Sequence, residues 1–328
     1  NNKGASSIYH CYLPLDLPGA MKRLYRQIQP SLVVVMETEI WPNFFLTAKD
    51  QSIPLVLVNA RLSPRSASGY RRYLPQAPLA LNATAAIIAQ THADAERFVQ
   101  AGASPEKVFY SGNLKGDLQL PDGLFQRAQS LPEFWGHSRR VWMGASTHEG
   151  EEQMLLAAHA QLLEDCPDAL LILVPRHPER FERVWSLVLQ HDFRAARHTL
   201  LGVKSKEAQV LVVDAMGVLL DYAATAQIIF VGGSLVPIGG HNPLEPAALQ
   251  KPVLMGPYHD NIEDLMSLLT EAGGARIVNS EEDVGQVVAS LFKQPNHLKN
   301  MGVQALSVVK AQRGAVKRTL NYIQPLVK

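Results

Sequence analysis

The stretch Val231-Gly-Gly-Ser-Leu-Val-Pro-Ile-Gly-Gly-His-Asn-Pro-Leu-Glu-Pro246 decides the fold. An apolar run ends in a first glycine pair, a second pair follows, and the segment then has the features of a helix start. Asn242 is a good N-cap, Pro243 suits the first helical position, and Glu245 is placed to close a capping box or, alternatively, to accept hydrogen bonds from the vicinal hydroxyls of a ribose. The glycines let backbone N–H groups approach an anion, so we favour a ligand-binding loop over a plain turn.

Short β-branched or aliphatic runs alternate with helical patterns along the whole chain, which predicts parallel sheets covered by helices. The first part of the chain has four such runs, at Leu32–Val35, Pro54–Val58, Ala85–Ala89 and Lys107–Ser111. The second part has six, at Val141–Ala145, Ala169–Val174, Val210–Val213, Ile228–Val231, Pro252–Met255 and Ala275–Val278. We therefore expect an α/β protein with two doubly wound domains.

The domain boundary is expected between residues 116 and 124, where turn and linker residues are concentrated. This gives domains 1–118 and 119–328, and the last helix can pack back on the first domain. The 328 residues exceed the length at which a single hydrophobic core stops growing. The chain starts without an initiator Met and its first part has fewer strands than its second, so we expect the first domain to be incomplete at its start.

The composition is 47% hydrophobic and 19% charged, and no apolar run approaches the length of a membrane-spanning helix. A net charge of +1 argues against nucleic acid as a partner. Residues 1–118 carry net +4 and the remainder net −3, which suggests an anionic partner for the first half. Cys11 and Cys166 provide neither a disulfide framework nor a metal motif, and two isolated cysteines suit a reducing cytoplasm.

A second candidate site follows the apolar run that ends at Val174. Pro175 and Arg176 come next, with His177 beside them, at the carboxyl end of a central strand, where open α/β sheets bind ligands. Arg176 suits a phosphate or carboxylate, and we favour this role over a surface ion pair with Glu179 or Glu182. For His177 the two roles stay equally open.

Two further strand ends carry weaker signals. The segment Ser146-Thr-His-Glu149 is typical of a capping box that opens a helix, and this structural role is at least as plausible as a ligand role. The segment Asp214-Ala-Met-Gly217 follows another strand at the same edge. The backbone at Met216 and Gly217 is placed to contact a nucleotide base.

In the first part, Glu37 and Glu39 follow a buried strand, and a two-residue period puts both on one face. One carboxylate can cap the next helix, or the two can share a cation or substrate hydroxyls. Lys115 is expected at a cleft between the domains. A cluster of arginines is either a phosphate-binding surface or a solvated helix face, with neither preferred; its members are Arg61, Arg65, Arg71 and Arg72.

The sequence contains no His-Glu-x-x-His motif, no Asp-x-Asp pair, no phosphate-binding loop of the Gly-x-x-x-x-Gly-Lys type and no Gly-x-Ser-x-Gly elbow. We therefore predict no metal site. In a nucleotide-dependent enzyme of this kind, positive side chains must neutralise the leaving phosphate.

The long motifs of the chain resemble those of the 3-deoxy-D-manno-octulosonic acid (Kdo) transferases of lipopolysaccharide biosynthesis. The similarity runs from about residue 9 to the C-terminus. The matching segments are Met36-Glu-Thr-Glu-Ile-Trp-Pro-Asn43, Asn59-Ala-Arg-Leu-Ser63, Ser146-Thr-His-Glu-Gly-Glu151, Val174-Pro-Arg-His-Pro-Glu-Arg-Phe181, Gly232-Gly-Ser-Leu235 and Gly239-Gly-His-Asn-Pro-Leu-Glu245. These are Gram-negative glycosyltransferases of the GT-B fold, with two Rossmann-like domains facing a cleft.

The resemblance implies an inverting, metal-independent enzyme that moves Kdo from CMP-Kdo to the lipid A precursor, with no cofactor besides that donor substrate. It places Glu37 and Lys115 at the transition state. The CMP-binding positions that it implies are Pro175, Arg176, Met216, Gly217, Val218, Asn242, Pro243, Leu244 and Glu245. It further implies work at the cytoplasmic face of the bacterial inner membrane, with the membrane surface contacted through a segment upstream of residue 1.

The family's general base is a Glu in an N-terminal Gly-Glu motif, and we expect it to lie upstream of residue 1 together with an apolar anchor. The hypothesis is that this chain is inactive in transfer. Two alternatives stay open: a UDP-sugar transferase or 2-epimerase of the same fold, and a non-catalytic fragment that binds a nucleotide sugar.

Overall fold

The computed structural model describes residues 8–63, 66, 67, 69 and 76–327. Arg65, Arg71 and Arg72 of the predicted basic cluster lie outside these residues. The chain divides into two compact units, each of which is described by itself: unit 1 comprises residues 1–117 and 312–328, and unit 2 comprises residues 118–311. Within the described ranges, no helix has both the length and the apolar character needed to cross a bilayer.

Strands and helices alternate through the described chain. The strands are β1 (Val33–Met36), β2 (Leu55–Ala60), β3 (Ala86–Ala89), β4 (Val108–Tyr110), β5 (Val141–Thr147), β6 (Leu170–Pro175), β7 (Ala195–Arg197), β8 (Val210–Val212), β9 (Ile228–Val231), β10 (Val253–Met255) and β11 (Ala275–Ile277). The helices are α1 (Pro18–Ile28), α2 (Pro42–Asp50), α3 (Ala77–Ala83), α4 (His92–Gln100), α5 (Leu124–Ser130), α6 (Glu151–Asp165), α7 (Phe181–Gln190), α8 (Leu219–Thr225), α9 (Leu244–Ala248), α10 (Glu263–Glu271), α11 (Glu281–Lys293), α12 (Pro295–Gln312) and α13 (Ala315–Ile323).

The strands predicted from apolar runs are all present, and each end lies within two residues of its predicted position. The sequence pattern missed β7, because only two of its three side chains are apolar. This strand lies at the edge of a sheet, where less apolar surface is buried. The α/β prediction is therefore confirmed.

The sheet of unit 1 has the order β1-β2-β3-β4, with parallel neighbours. Every residue of β2 is buried, as a central strand requires, and Phe45 of α2 and Phe98 of α4 pack into the same core. The helix α2 is capped from a distance, since Asp16 accepts the backbone N–H groups of Asn43 and Phe44 at 3.0 and 2.8 Å. The prediction that Glu37 or Glu39 caps this helix is therefore wrong.

The sheet of unit 2 has the order β11-β10-β9-β5-β6-β8-β7, again with parallel neighbours. Alternate residues of β5 face opposite cores: Met143 packs on one side of the sheet and Trp142 on the other. Both faces are thus covered, as in a doubly wound sheet. From β5 the strand order runs outwards in both directions, so the β5 and β9 ends form the switch point at which such sheets bind ligands.

Candidate active site

The candidate residues of unit 2 lie in loops that follow parallel strands. Pro175 ends β6 and Arg176 follows it, Met216 to Val218 follow β8, and Asn242 to Glu245 follow the glycine-rich loop after β9. Because carboxyl ends of neighbouring parallel strands share one edge, the fold brings these segments to the same edge of the sheet.

A buried carboxylate that sequence reasoning did not single out holds the switch point together. Glu151, the first residue of α6, is fully buried. Its Oε2 accepts the N–H groups of His148 and Gly233 at 2.9 and 2.8 Å, and its Oε1 accepts those of Ser234 and Leu235 at 2.9 and 3.0 Å. Burial removes water from the carboxylate, and this desolvation is compensated by the four N–H donors and by the positive end of its own helix.

The predicted capping box at Ser146 and Glu149 is wrong. The strand β5 continues through Ser146, whose φ of 55° is left-handed, and α6 begins only at Glu151, after Gly150. The carboxylate that reaches back to a backbone N–H is thus Glu151, because the turn after β5 is longer than the motif assumes. Glu149 points away and pairs with Arg183.

The glycine-rich loop after β9 packs directly on the loop after β5. A Cβ on Gly232 would collide with the carbonyl oxygen of Ser146, so no larger residue fits here without moving the backbone. Gly240 N–H donates to the Gly233 carbonyl at 2.7 Å, and His241 N–H donates to the Gly232 carbonyl at 3.1 Å. The four glycines therefore form a compact loop that is closed on itself.

Arg176 stands at the edge with its backbone fixed and its side chain exposed. Its N–H donates to the Thr147 carbonyl at 3.0 Å. The predicted alternative, an ion pair with Glu179 or Glu182, is wrong, because Glu182 pairs with Arg197 at 2.6 Å and no ion pair of Arg176 occurs among the described residues. An unpaired guanidinium at a strand's carboxyl end is well placed to bind an anion.

The neighbouring Arg180 has a different, structural role. Its guanidinium forms a two-pronged ion pair with the fully buried Glu152, at 2.7 and 3.0 Å, and Glu152 also accepts the Thr147 hydroxyl at 2.8 Å. This pair ties the loop after β6 to the start of α6. Arg176 and Arg180 are thus only four positions apart in the sequence but have different roles.

Three histidines from three adjacent strand ends meet at this edge. His148 follows β5 and His241 follows β9, and their Nε2 atoms are 2.7 Å apart. The ring of His177, after β6, lies edge-on to His148 with 5.4 Å between centroids. Burial lowers the pKa of His148, and burial together with His148, Arg176 and His177 lowers the pKa of His241 to about 4.

The helix after the glycine-rich loop begins later than predicted. It starts at Leu244, and Pro243 occupies the N-cap position. Because proline has neither a side-chain acceptor nor a backbone N–H, the capping box predicted for Asn242 and Glu245 is wrong, although Asn242 Oδ1 does accept Leu244 N–H at 3.1 Å. Burial raises the pKa of the Glu245 carboxyl.

The loop after β8 presents an exposed segment. Met216 is 59% exposed, and Gly217 has a φ of 82° with open space around its Cα. Val218 precedes α8 and its carbonyl accepts Asp221 N–H at 3.1 Å. The base of this loop is fixed by Asp214, which binds Arg197 at 2.8 Å and accepts Thr199 N–H at 3.0 Å. Met216 and Gly217 at the tip of the loop are thus accessible to a ligand, while the contacts of Asp214 fix the base of the loop.

In unit 1, Glu37 and Lys115 come together. Glu37 follows β1, and its Oε1 is 3.4 Å from Lys115 Nζ, with the two side chains 48% and 63% exposed. The prediction that Glu37 and Glu39 share a strand face is wrong, because β1 ends at Met36 and Glu37 has a left-handed φ of 60°. Glu39 instead accepts the Trp41 indole N–H at 3.0 Å.

The segment that carries Lys115 is held from two sides. The side chain of Asn59, buried at the end of β2, accepts Leu114 N–H at 2.9 Å. Asp117 accepts the N–H groups of Gly314 and Val316 at the start of α13. Arg318 of α13 donates to the Ser111 carbonyl at 2.7 Å. The C-terminal helix is therefore part of the support for Lys115.

The predicted phosphate-binding arginine cluster stays a prediction. Arg61 follows β2, and the next residue is fixed by the buried Asp94, which accepts Leu62 N–H at 2.9 Å. The other three arginines lie outside the described residues. In the described part of the chain, no group of three or more His, Cys, Asp or Glu side chains is arranged to hold a metal ion, and both cysteines are free.

The two α/β units define a class of protein: this is the GT-B fold of glycosyltransferases and related epimerases. A glycosyltransferase from Rickettsia africae superposes with a TM-score of 0.60 at 12% identity, covering 95% of this chain and 80% of that one.

Sequence comparison identifies the family within this fold class. Residues 1–118 match the family model described as 3-deoxy-D-manno-octulosonic-acid transferase (kdotransferase). The Kdo transferase of Haemophilus influenzae is 38% identical over 98% of this chain and 76% of its own length. The crystal structure of the C-terminal CMP-Kdo binding domain of WaaA from Acinetobacter baumannii is 31% identical with a TM-score of 0.55, covering 57% of this chain and 98% of that domain. The chain belongs to the Kdo transferase family.

Proposed function

We propose that this chain transfers Kdo from CMP-Kdo to a lipid A precursor. Membership of the transferase family supports Kdo transfer as the reaction. The observation that carries the donor assignment is the Arg176 guanidinium, which stands unpaired among the described residues at the carboxyl end of β6. CMP-Kdo has a phosphate and a carboxylate beside the reacting carbon, and both are groups that a guanidinium binds well.

Each part of CMP has a candidate partner at the edge of unit 2. Arg176, supported by the fixed backbone of Pro175, would bind the phosphate. The carboxylate of Glu245, half-buried and without a hydrogen bond to another described residue, would accept the ribose hydroxyls. The raised pKa of this carboxyl would fall as those donors replace lost water. The exposed backbone from Met216 to Val218 would contact the base, and the turn from Asn242 to Leu244 would close the site.

In the reaction, the acceptor hydroxyl oxygen forms a bond to the anomeric carbon of Kdo from the face opposite the phosphate. The bond from that carbon to the phosphate oxygen breaks, CMP leaves with the electron pair, and the hydroxyl proton goes to a base. This displacement inverts the anomeric centre. Glu37 and Lys115 of unit 1 would stabilise the developing charges, and fixed cationic groups would replace a metal ion.

The place of action follows from the two substrates. The donor is a soluble nucleotide sugar and the acceptor is a lipid, so we propose that the enzyme works at the cytoplasmic face of the bacterial inner membrane. The membrane surface is a partner in this proposal, whereas nucleic acid and a resident cofactor are not.

Calorimetric titration tests the donor assignment. CMP should bind more tightly than UDP, and Arg176→Ala should weaken CMP, whereas Arg183→Ala, an exposed arginine of α7 that pairs with Glu149, should leave it unchanged. Preference for UDP would favour a UDP-sugar enzyme of the same fold instead.

Release of CMP from CMP-Kdo in the presence of a lipid A precursor tests the transfer itself, with and without a chelator. The comparisons give no support to the hypothesis that this chain is inactive, and the same assay decides it. Transfer that a chelator abolishes would contradict metal independence.

A further inference from the structure

The pair formed by His148 and His241 is chemically unusual. The two Nε2 atoms are 2.7 Å apart, the rings are nearly parallel at 12°, and their centroids are 4.9 Å apart. Each ring comes from a different loop at the switch point of unit 2. The backbone N–H groups at both loops are also fixed, since Glu151 accepts those of His148 and Gly233.

The short distance fixes the number of protons in the gap. Two N–H groups cannot face each other at this separation, and two bare nitrogen lone pairs repel, so one ring donates and the other accepts. A neutral donor ring then has a bare Nδ1, and the accepting ring carries its proton on Nδ1. The pair can hold a charge of zero or +1, but +2 would break the hydrogen bond.

Burial, and then the surrounding cationic groups, favour the neutral form of the pair in the free protein. The cationic groups near it are Arg176 and Arg180, and His177 lies against His148. The carboxylates near His148, Glu151 and Glu152, are already bound by four backbone N–H groups and by Arg180. On the next loop, the ring of His259 bonds to the Gly256 carbonyl at 3.0 Å.

An anion bound beside Arg176 reverses this balance. It would partly neutralise Arg176 and place negative charge near His241, which favours the protonated form of a histidine. The proton would enter at the bare Nδ1 of the donor ring, and the Nε2–H···Nε2 hydrogen bond would persist and become charge-assisted.

We propose that His148 and His241 act as one unit that shares the single proton in their gap, and that this unit takes up a further proton when the anionic group of the donor binds. The proposal rests on the assignment of CMP-Kdo as donor. Its consequence is that donor affinity increases as the pH falls, up to about tenfold per pH unit between the pKa of the free pair and that of the bound pair. The protein thus adds a cation to the site only when the anion arrives.

Nitrogen-15 NMR of the histidine side chains tests the shared proton without any ligand. In the wild-type protein near neutral pH, one of the two rings should be protonated at Nε2 and the other at Nδ1. Single-site variants His148→Gln and His241→Gln assign the two signals, and each should change the signal of the remaining partner. Two rings with the same tautomer would overturn the proposal.

Calorimetric titration with CMP in buffers of different ionisation enthalpy tests the proton uptake. Wild-type protein should take up about 0.5 to 1 proton more per CMP than His241→Gln between pH 6 and 7. The titration of CMP itself is common to both proteins and cancels. The control is His137→Gln, an exposed histidine before β5 at the opposite end of the strand, which should match wild type.

The failures of the two proposals are distinguishable. If wild-type protein binds CMP with the same proton uptake as His241→Gln, the role of the pair is wrong and the donor assignment stands. If wild-type protein does not bind CMP, the donor assignment fails, and the coupling to it fails as well.

Discussion

The carboxyl edges of the two sheets are built on opposite principles. In unit 2 two carboxylates beside the loops are buried and fully hydrogen-bonded: Glu151 and Glu152 are both 0% exposed, and each of their oxygens has a partner. In unit 1 the pair of Glu37 and Lys115 is about half exposed and its contact distance is 3.4 Å. Buried networks fix a geometry, whereas exposed pairs contribute little to stability and can rearrange.

The difference suggests a division of labour. Unit 2 holds its loops in place before a ligand arrives, which reduces the entropy lost on binding. Unit 1 presents charged groups whose own pairing is weak, so they can change partners at small cost as charge develops in a reaction. Mutations at the two edges should therefore separate effects on stability from effects on turnover.

Replacing Lys115 should have the largest effect, and only on turnover. With Lys115→Met, kcat for Kdo transfer should fall about 10² to 10³-fold, as for loss of a group that stabilises transition-state charge. The free energy of unfolding should change by less than about 1 kcal/mol, since the ion pair is exposed. The measurements are the rate of CMP release and urea unfolding. Lys49→Met, an exposed lysine of α2, is the control, and an equal loss of kcat in it would remove Lys115 from the site.

Replacing Glu151 should show the opposite pattern. In Glu151→Gln an amide NH₂ faces two of the four backbone N–H donors, so those donors lose their acceptor in a buried place. The free energy of unfolding of unit 2 should fall by about 3 kcal/mol. Urea unfolding followed by tryptophan fluorescence measures it, together with amide exchange at residues 233–235. The control Glu149→Gln removes an exposed charge of the same loop, 64% exposed, and should change stability by less than about 0.5 kcal/mol.

The sequence predicted the features that depend on local periodicity, which are the positions of the strands and their alternation with helices. Apolar runs such as Val141–Ala145 and Ile228–Val231 located the strands, since a strand covered on both faces must be apolar along its length. The alternation of strands and helices then placed Arg176 and the glycine-rich loop at the same edge. Motif resemblance identified the family, which periodicity alone does not specify.

The sequence did not predict interactions between distant residues. Glu151 binds N–H groups 82 to 84 positions away, and Leu114 donates to Asn59 across 55 positions. Both capping-box predictions were wrong because each helix begins later than the motif assumes, at Glu151 and at Leu244. One signal was available: two adjacent glutamates at 151 and 152, at the start of an apolar helix, are hard to explain as solvated residues when the helix is buried on most sides.

Replacing Arg176 should weaken CMP binding without affecting stability, because the side chain proposed to bind the anion is exposed. With Arg176→Ala, CMP affinity should fall by about 1.5 to 3 kcal/mol, as for loss of a charged hydrogen bond. The melting temperature should stay within about 1 °C, because the guanidinium has no ion-pair partner among the described residues. Unchanged affinity by calorimetry would show that the anion binds elsewhere.

Replacing Asp117 tests whether unit 1 contains a weaker counterpart of Glu151. Both carboxylates accept backbone N–H groups, but Asp117 is half-buried and accepts only two, from Gly314 and Val316 at the start of α13. Asp117→Ala should therefore cost about 1 kcal/mol, the usual value for a lost helix cap, and speed amide exchange at the start of α13. Because Lys115 lies two residues away, kcat should fall a few-fold, well below the effect of Lys115→Met. A stability loss as large as that of Glu151→Gln would mean that unit 1 is as rigidly fixed as unit 2, and the division of labour between them would not hold.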